Sequence, residues 1–208
     1  MKKKTISLEK IEQFILDAGS DSLEVFGGTY EGGIHIQQVP DELAQCIKAI
    51  LDTGISITAL LEIGVAAGGT TYVLNHFFNP EKIVLIDDNR HPKAPLRPFV
   101  LAGLNRREIV GNSHDLTVVG QVEGPFDLII IDGDHSYTGC MTDVNAYLPF
   151  LNSGGVVVLH DTQHTQWGCE VPLVMEKLRH DPRVKFIGEY ISTKRMPCGL
   201  ALFQKVVA

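Results

Sequence analysis

Five short apolar runs recur along the chain with helical stretches between them, and this alternation restricts the fold more than any other feature. The runs are TALLEI (58–63), KIVLID (82–87), REIV (107–110), FDLIIID (126–132) and GVVVLH (155–160). Helices fit near 70–78, 96–104, 138–149 and 170–180, and Tyr137, Met141, Val144 and Leu148 make one apolar stripe in the third. Strands that are apolar on both faces and separated by helices predict a parallel sheet covered on both sides. Two further runs, VKFIGEYI (184–191) and GLALFQKV (199–206), leave no room for a helix between them and should pair antiparallel. The expected fold is therefore α/β: a Rossmann-like, doubly wound, mostly parallel seven-stranded sheet with an antiparallel C-terminal strand. Segment 111–122 is ambiguous, since LTVVGQV has strand propensity where the alternation calls for a short helix or loop.

The first part of the chain differs. Leu8, Ile11, Phe14 and Ile15 fall at helical spacing with Gly19 as a stop, a glycine-rich segment covers 19–38, and Pro40 opens a helix to about Asp52. We divide the chain at 53: residues 1–53 form an N-terminal helical or lid segment and 54–208 the ligand-binding domain, within one compact unit. A chain of 208 residues is long enough for one full core. A net charge of −7 argues against the basic face that nucleic-acid binding needs. No apolar run approaches the roughly 18 residues of a membrane span, no secretory leader is visible, and the four cysteines form no C-x-x-C pair. These point to a reduced, cytoplasmic protein with no nucleic-acid and no membrane partner. The N-terminal helix or the edge hairpin offers a surface for a homodimer.

Ligands of open α/β sheets bind outside the carboxyl ends of the strands. Two of those ends carry unusual chemistry: the fourth run stops at Asp132-Gly133-Asp134-His135 and the fifth at His160-Asp161. The first run leads into LLEIGVAAGGTTYVL (60–74), a glycine turn between a strand and a helix start. The dinucleotide pattern G-x-G-x-x-G, laid on Gly64, meets Ala66 where its middle glycine belongs, which weakens an NAD reading. Tyr137 is followed by Met141 where an oxidoreductase Tyr-x-x-x-Lys dyad would need lysine, and no G-x-S-x-G elbow is present.

The set Glu62, Gly64, Gly68, Gly69, with an acid ending the second strand, resembles the class I S-adenosylmethionine-dependent methyltransferases. The resemblance implies a methionine carboxylate received at the helix start near Thr70 and Thr71, and an amino group near Glu62. It further implies ribose hydroxyls on Asp87 (with Asp88 as substitute), an adenine edge near Ser113 and His114, and Asp132 facing the cofactor. The longer stretch IDGDHSY…D…LPFLNSGGVVVLHDT is similar to the metal-dependent sugar and natural-product O-methyltransferases of the macrolide and aminocoumarin type, more distantly to catechol O-methyltransferase. That likeness implies a divalent ion on Asp132, His160 and Asp161, and His135 as general base, with Asp134 as the runner-up. The best-understood metal-binding members carry an acid where this chain has His160, which moves the ion preference from Mg²⁺ toward Mn²⁺ or Fe²⁺.

Plainer roles stand beside these. Asp132 caps the following loop, His160 hydrogen-bonds to substrate, His164 faces solvent, Trp167 flanks the acceptor or packs, and Gln37 and Gln38 touch the cofactor mouth. The leading function is O-methyl transfer to a hydroxyl of a sugar or other small polar acceptor. The alternatives are a catalytically inactive cofactor-binding protein and an NAD(P)-dependent oxidoreductase.

Overall fold

The computed structural model describes residues 6–19, 34–166 and 168–207. Most of the glycine-rich segment (20–33) and Trp167 lie outside the described residues. In chain order the elements are α1 (Leu8–Ala18), α2 (Pro40–Thr53), β1 (Ala59–Ile63), α3 (Gly69–Phe78) and β2 (Lys82–Asp87). Next come a 3-10 turn (Ala94–Leu96), α4 (Arg97–Val100), β3 (Arg107–Val110), α5 (Leu116–Val119) and β4 (Phe126–Ile131). The last are α6 (Tyr137–Tyr147), β5 (Leu151–His160), α7 (Val171–Arg179), β6 (Val184–Tyr190) and β7 (Leu200–Lys205).

The strands form one seven-stranded sheet in the order β3-β2-β1-β4-β5-β7-β6. Pairing is parallel from β3 through β5, and β7 runs antiparallel to both β5 and β6. The order reverses between β1 and β4, which opens a crevice at their carboxyl ends. Strand periodicity explains the apolar runs. Along β4, Leu128 and Ile130 join Ile11, Ile47 and Val73 in the core on one face, while Ile129 and Ile131 join Val144, Val174 and Phe203 on the other. The described N-terminal helices thus contribute to the core on one face of the sheet. The buried Glu42 of α2 accepts hydrogen bonds from the backbone N–H of Ser192 and of Gly199, both at 2.8 Å, and so ties α2 to the β6–β7 connection.

Two expectations need adjustment, and one open reading is decided. The helix expected over 96–104 is only one turn: Leu101 leaves the helical backbone at φ −99°, ψ 22°, and Gly103 turns left-handed at φ 80°. Segment 111–122 is a short helix rather than a strand: Val118 and Val119 both donate to the Asp115 carbonyl, and Val118 is buried. The fifth strand begins at Leu151, four residues earlier than the apolar run.

Candidate active site

The strand ends touch at Gly64. Its φ is 77°, and a Cβ there would lie 2.0 Å from the Asp132 carbonyl oxygen. Only glycine fits, so this residue sets how closely β1 and β4 converge. The backbone N–H of Asp132 donates to the Ile63 carbonyl at 2.9 Å. Gly69, which opens α3, meets a second chain segment: a Cβ would sit 2.1 Å from the His35 carbonyl oxygen. Glu62 lies beneath the turn, 1% exposed, and accepts a hydrogen bond from the Thr71 hydroxyl. Burial pushes its carboxyl up to about 8, against the pull of Thr71, with Asp132 adding to the rise.

Asp87 ends β2 with its carboxylate engaged from four sides. One oxygen accepts from the N–H of Val65 (2.7 Å) and Ala66 (2.9 Å), the other from Asn89 N–H (2.7 Å) and faces Arg97 Nη2 at 2.8 Å. These donors outweigh burial and hold Asp87 below the usual carboxylate range. They also shape the turn, for Ala66 is held at φ 46°, a left-handed conformation that glycine would take more readily. Asp88 lines the same cleft and pairs with Arg90 at 2.7 Å. Asn112, Ser113 and His114 follow β3 into the cleft. Behind them stands the fully buried Asp143, whose carboxylate is 3.5 Å from His114 Nε2. Burial pushes Asp143 up to about 6, opposed by Ser113 and His114.

The two polar strand ends do meet. Asp132 Oδ1 lies 2.8 Å from His160 Nδ1 and 3.4 Å from His135 Nε2, and Asp161 Oδ2 lies 3.3 Å from His135 Nδ1. The second Asp132 oxygen accepts from Gln38 at 3.0 Å. Burial alone would raise Asp132, but the charge on His160 and the hydrogen bonds of both imidazoles bring it well below the carboxylate range. Burial works against a charged His160; Asp132 and Asp161 outweigh it, so its pKa stands well above the ordinary histidine value. The hydrogen bond to Asp132 raises His135 as well, again against burial. Asp161 adopts φ 63°, a strained conformation for a non-glycine residue. Asp134 accepts from Ser136 N–H at 2.8 Å and lines the cleft beside this group.

Residues 61–162 match the family described as "Methyltransferase domain". Demethylmacrocin O-methyltransferase of Streptomyces fradiae is 28% identical over 118 residues, 52% of this chain and 28% of that protein. A mimivirus protein of unassigned function, from Acanthamoeba polyphaga mimivirus, is 26% identical over 130 residues, 58% of this chain and 59% of that protein. The chain thus spans 28% of the first and 59% of the second, less than two thirds of either. Among solved structures, the O-methyltransferase TomG of Streptomyces achromogenes, in complex with SAM, superposes with a TM-score of 0.64 at 18% identity. The match covers 100% of this chain and 92% of TomG. At that identity the likeness speaks for the fold. Residues 61–162 match a methyltransferase domain, and the chain has the class I methyltransferase fold.

Of the residues given a catalytic, cofactor or metal role from sequence, Glu62, Gly64, Gly69, Thr70, Asp87, Asp88, Ser113, His114, Asp132, Asp134, His135, His160 and Asp161 line one cleft of about 570 Å³, while Gly68 caps α3 beside it and Thr71 bonds to Glu62. Six of the chain's eight histidines, His35, His91, His114, His135, His160 and His164, line it too. His164 was expected in solvent and is buried instead, because its N–H donates to the Asp161 carbonyl (3.2 Å) and folds the loop back over the site. Gln38 touches Asp132, and Gln37 Nε2 lies 3.2 Å from His91 Nε2. Sequence reasoning missed Arg97, Asp143 and Cys198. Arg97 carried a signal, a cation about ten residues beyond an acidic strand end, but its pairing depends on how the turn folds. Among the described residues no helix is long and apolar enough to cross a membrane, and all four cysteines are free.

Proposed function

We propose that this chain is an S-adenosylmethionine-dependent O-methyltransferase acting on a hydroxyl of a sugar or other small polar molecule, assisted by a divalent ion. The observation that carries the reading is the convergence of Asp132, His135, His160 and Asp161 beside the Gly64 turn. The macrolide-modifying relative, named as an O-methyltransferase, supports the choice of oxygen as acceptor.

When bound, S-adenosylmethionine supplies a methyl group on a sulfonium that leaves neutral, so the demanding part of the reaction is the acceptor's proton. Glu62 faces the amino group at the floor of the cleft, and the start of α3 at Thr70 receives the carboxylate. Ser113 and His114 face the adenine edge. Asp87 faces the ribose hydroxyls from the turn that it holds through Val65 and Ala66, with Asp88, itself paired with Arg90, as the substitute. His135, 40% exposed at the cleft, accepts the acceptor's proton, with Asp161 and Asp132 orienting its ring. Asp134 flanks it as the second carboxylate within reach.

The metal fits the residues on an observation independent of resemblance: His160 Nε2 is buried without a hydrogen-bond partner in the wall of the cleft that carries the Asp132 and Asp161 carboxylates. Asp132, His160 and Asp161 would hold the ion, which would stabilise the acceptor as an alkoxide and neutralise the carboxylates that raise His135. The test is methyl transfer to a panel of glycosides and polyols, before and after chelation and with Mg²⁺ or Mn²⁺ restored. Transfer that needs the ion supports the reading; transfer indifferent to chelator removes the metal, and none with any hydroxyl acceptor removes O-methylation.

A further inference from the structure

Cys198 reaches the strand ends from a part of the chain that the methyltransferase match does not cover. Its thiol, a His160 nitrogen and an Asp161 carboxylate oxygen all lie within 4.8 Å of one another, and all three residues are buried. The fold fixes this meeting. Antiparallel pairing sets Leu200 opposite His160, so the residues just before β7 lie beside those just after β5. Gln163 N–H donates to the Cys198 carbonyl at 2.7 Å, Thr162 N–H donates to the Gly199 carbonyl at 3.3 Å, and Glu42 holds Gly199 N–H from the other side. The second, independent observation is His160 Nε2, a buried nitrogen without a partner on a residue only 6% exposed that lines the cleft.

Around one tetrahedral ion with bonds of about 2.0–2.3 Å, neighbouring donor atoms stand roughly 3.5 Å apart. Donors within 4.8 Å of one another therefore need an inward movement of at most about 1 Å each, the scale of a small side-chain rotation. Thiolate and imidazole suit Zn²⁺, Fe²⁺ and Co²⁺, whereas Mg²⁺ takes oxygen ligands and keeps its waters.

We propose that Cys198 is a thiolate ligand, together with His160 and Asp161, of a transition ion, so that this site takes Zn²⁺ or Fe²⁺ in preference to Mg²⁺. On ligation the S–H bond breaks, its proton leaves to solvent, and a sulfur lone pair forms the bond to the metal; no oxidation state changes. The proposal deepens the metal-assisted reading above and rests on its ion.

The experiment titrates Co²⁺ into the metal-stripped full chain and follows the near-ultraviolet charge-transfer absorption that a cobalt–thiolate bond produces. The wild type should develop the band, keep it in excess Mg²⁺, and lose it in Cys198→Ser and in Cys198→Ala. Cys169→Ser should keep it, although Cys169 belongs to a neighbouring group with His135 and Asp161. A wild type without the band overturns the proposal, as does a band that survives in the Cys198 variants or vanishes only in Cys169→Ser. Calorimetric binding of S-adenosylhomocysteine to the same samples separates the two levels. A missing band with intact binding refutes only the thiolate ligand; failed binding in every sample, with the band present, refutes the cofactor reading instead.

Discussion

Glu62 should make cofactor binding release a proton. Its carboxyl is buried and pushed up to about 8 in the ligand-free protein, so at pH 7 it holds its proton in about nine molecules of ten. An ammonium group placed against it favours the carboxylate, by the same logic that lowers any acid beside a cation. Binding at pH 7 therefore releases about 0.9 proton, and affinity rises with pH while the free protein is protonated and the bound protein is not. Between pH 6 and 7.5 the gain is about 20-fold for one group with these properties. Calorimetry with S-adenosylhomocysteine in buffers of different ionisation enthalpy reads the proton count directly. Glu62→Gln should bind more weakly at pH 7.5, with an affinity that hardly changes over the same range. A wild type that releases no proton at pH 7, or a Glu62→Gln variant with the same pH slope, would refute the assignment of Glu62 to the ammonium.

Other consequences concern the rest of the cleft. His135→Ala should cost about 10²-fold or more in kcat while S-adenosylhomocysteine affinity stays near that of the wild type; an unchanged kcat would remove His135 as the base. Asp87→Ala removes the nearest counter-charge of the Arg97 side chain, only 3% exposed, and leaves it the more distant Glu108 at 3.5 Å, at a cost of up to about 3–5 kcal/mol. The melting temperature should fall by roughly 10 °C, and Asp87→Ala with Arg97→Met should recover part of it; no recovery would refute the buried-charge explanation. Gly64→Ala should lose both stability and cofactor binding, because the new Cβ collides with the Asp132 carbonyl; a variant that melts and binds like the wild type would show that β1 and β4 tolerate separation.

Much of this was legible in the sequence because strand ends concentrate their polar residues. The runs ending in Ile131-Asp132 and Leu159-His160-Asp161 are apolar on both faces, so the parallel sheet and the placing of the two polar ends in one site follow from one pattern. What stayed hidden depends on contacts between distant segments. Cys198 and Glu42 are 156 positions apart in number, and only the β5–β7 pairing and the α2 contact bring them to the His160 loop. The four-sided embrace of Asp87 needs the folded turn, since a carboxylate reads the same whether it faces a ribose or a backbone. His164 misled because a polar residue in a loop ordinarily faces water, and the turn that returns it to the cleft is a backbone bond to Asp161.

The most direct test of the central claim is the melting temperature of the chain with S-adenosylhomocysteine against NADH. Ligand at about 100 times its dissociation constant adds about 2.7 kcal/mol of stability, a rise of roughly 5–10 °C for a chain of this size. The account predicts that rise with S-adenosylhomocysteine and none with NADH. A rise with NADH alone would contradict it.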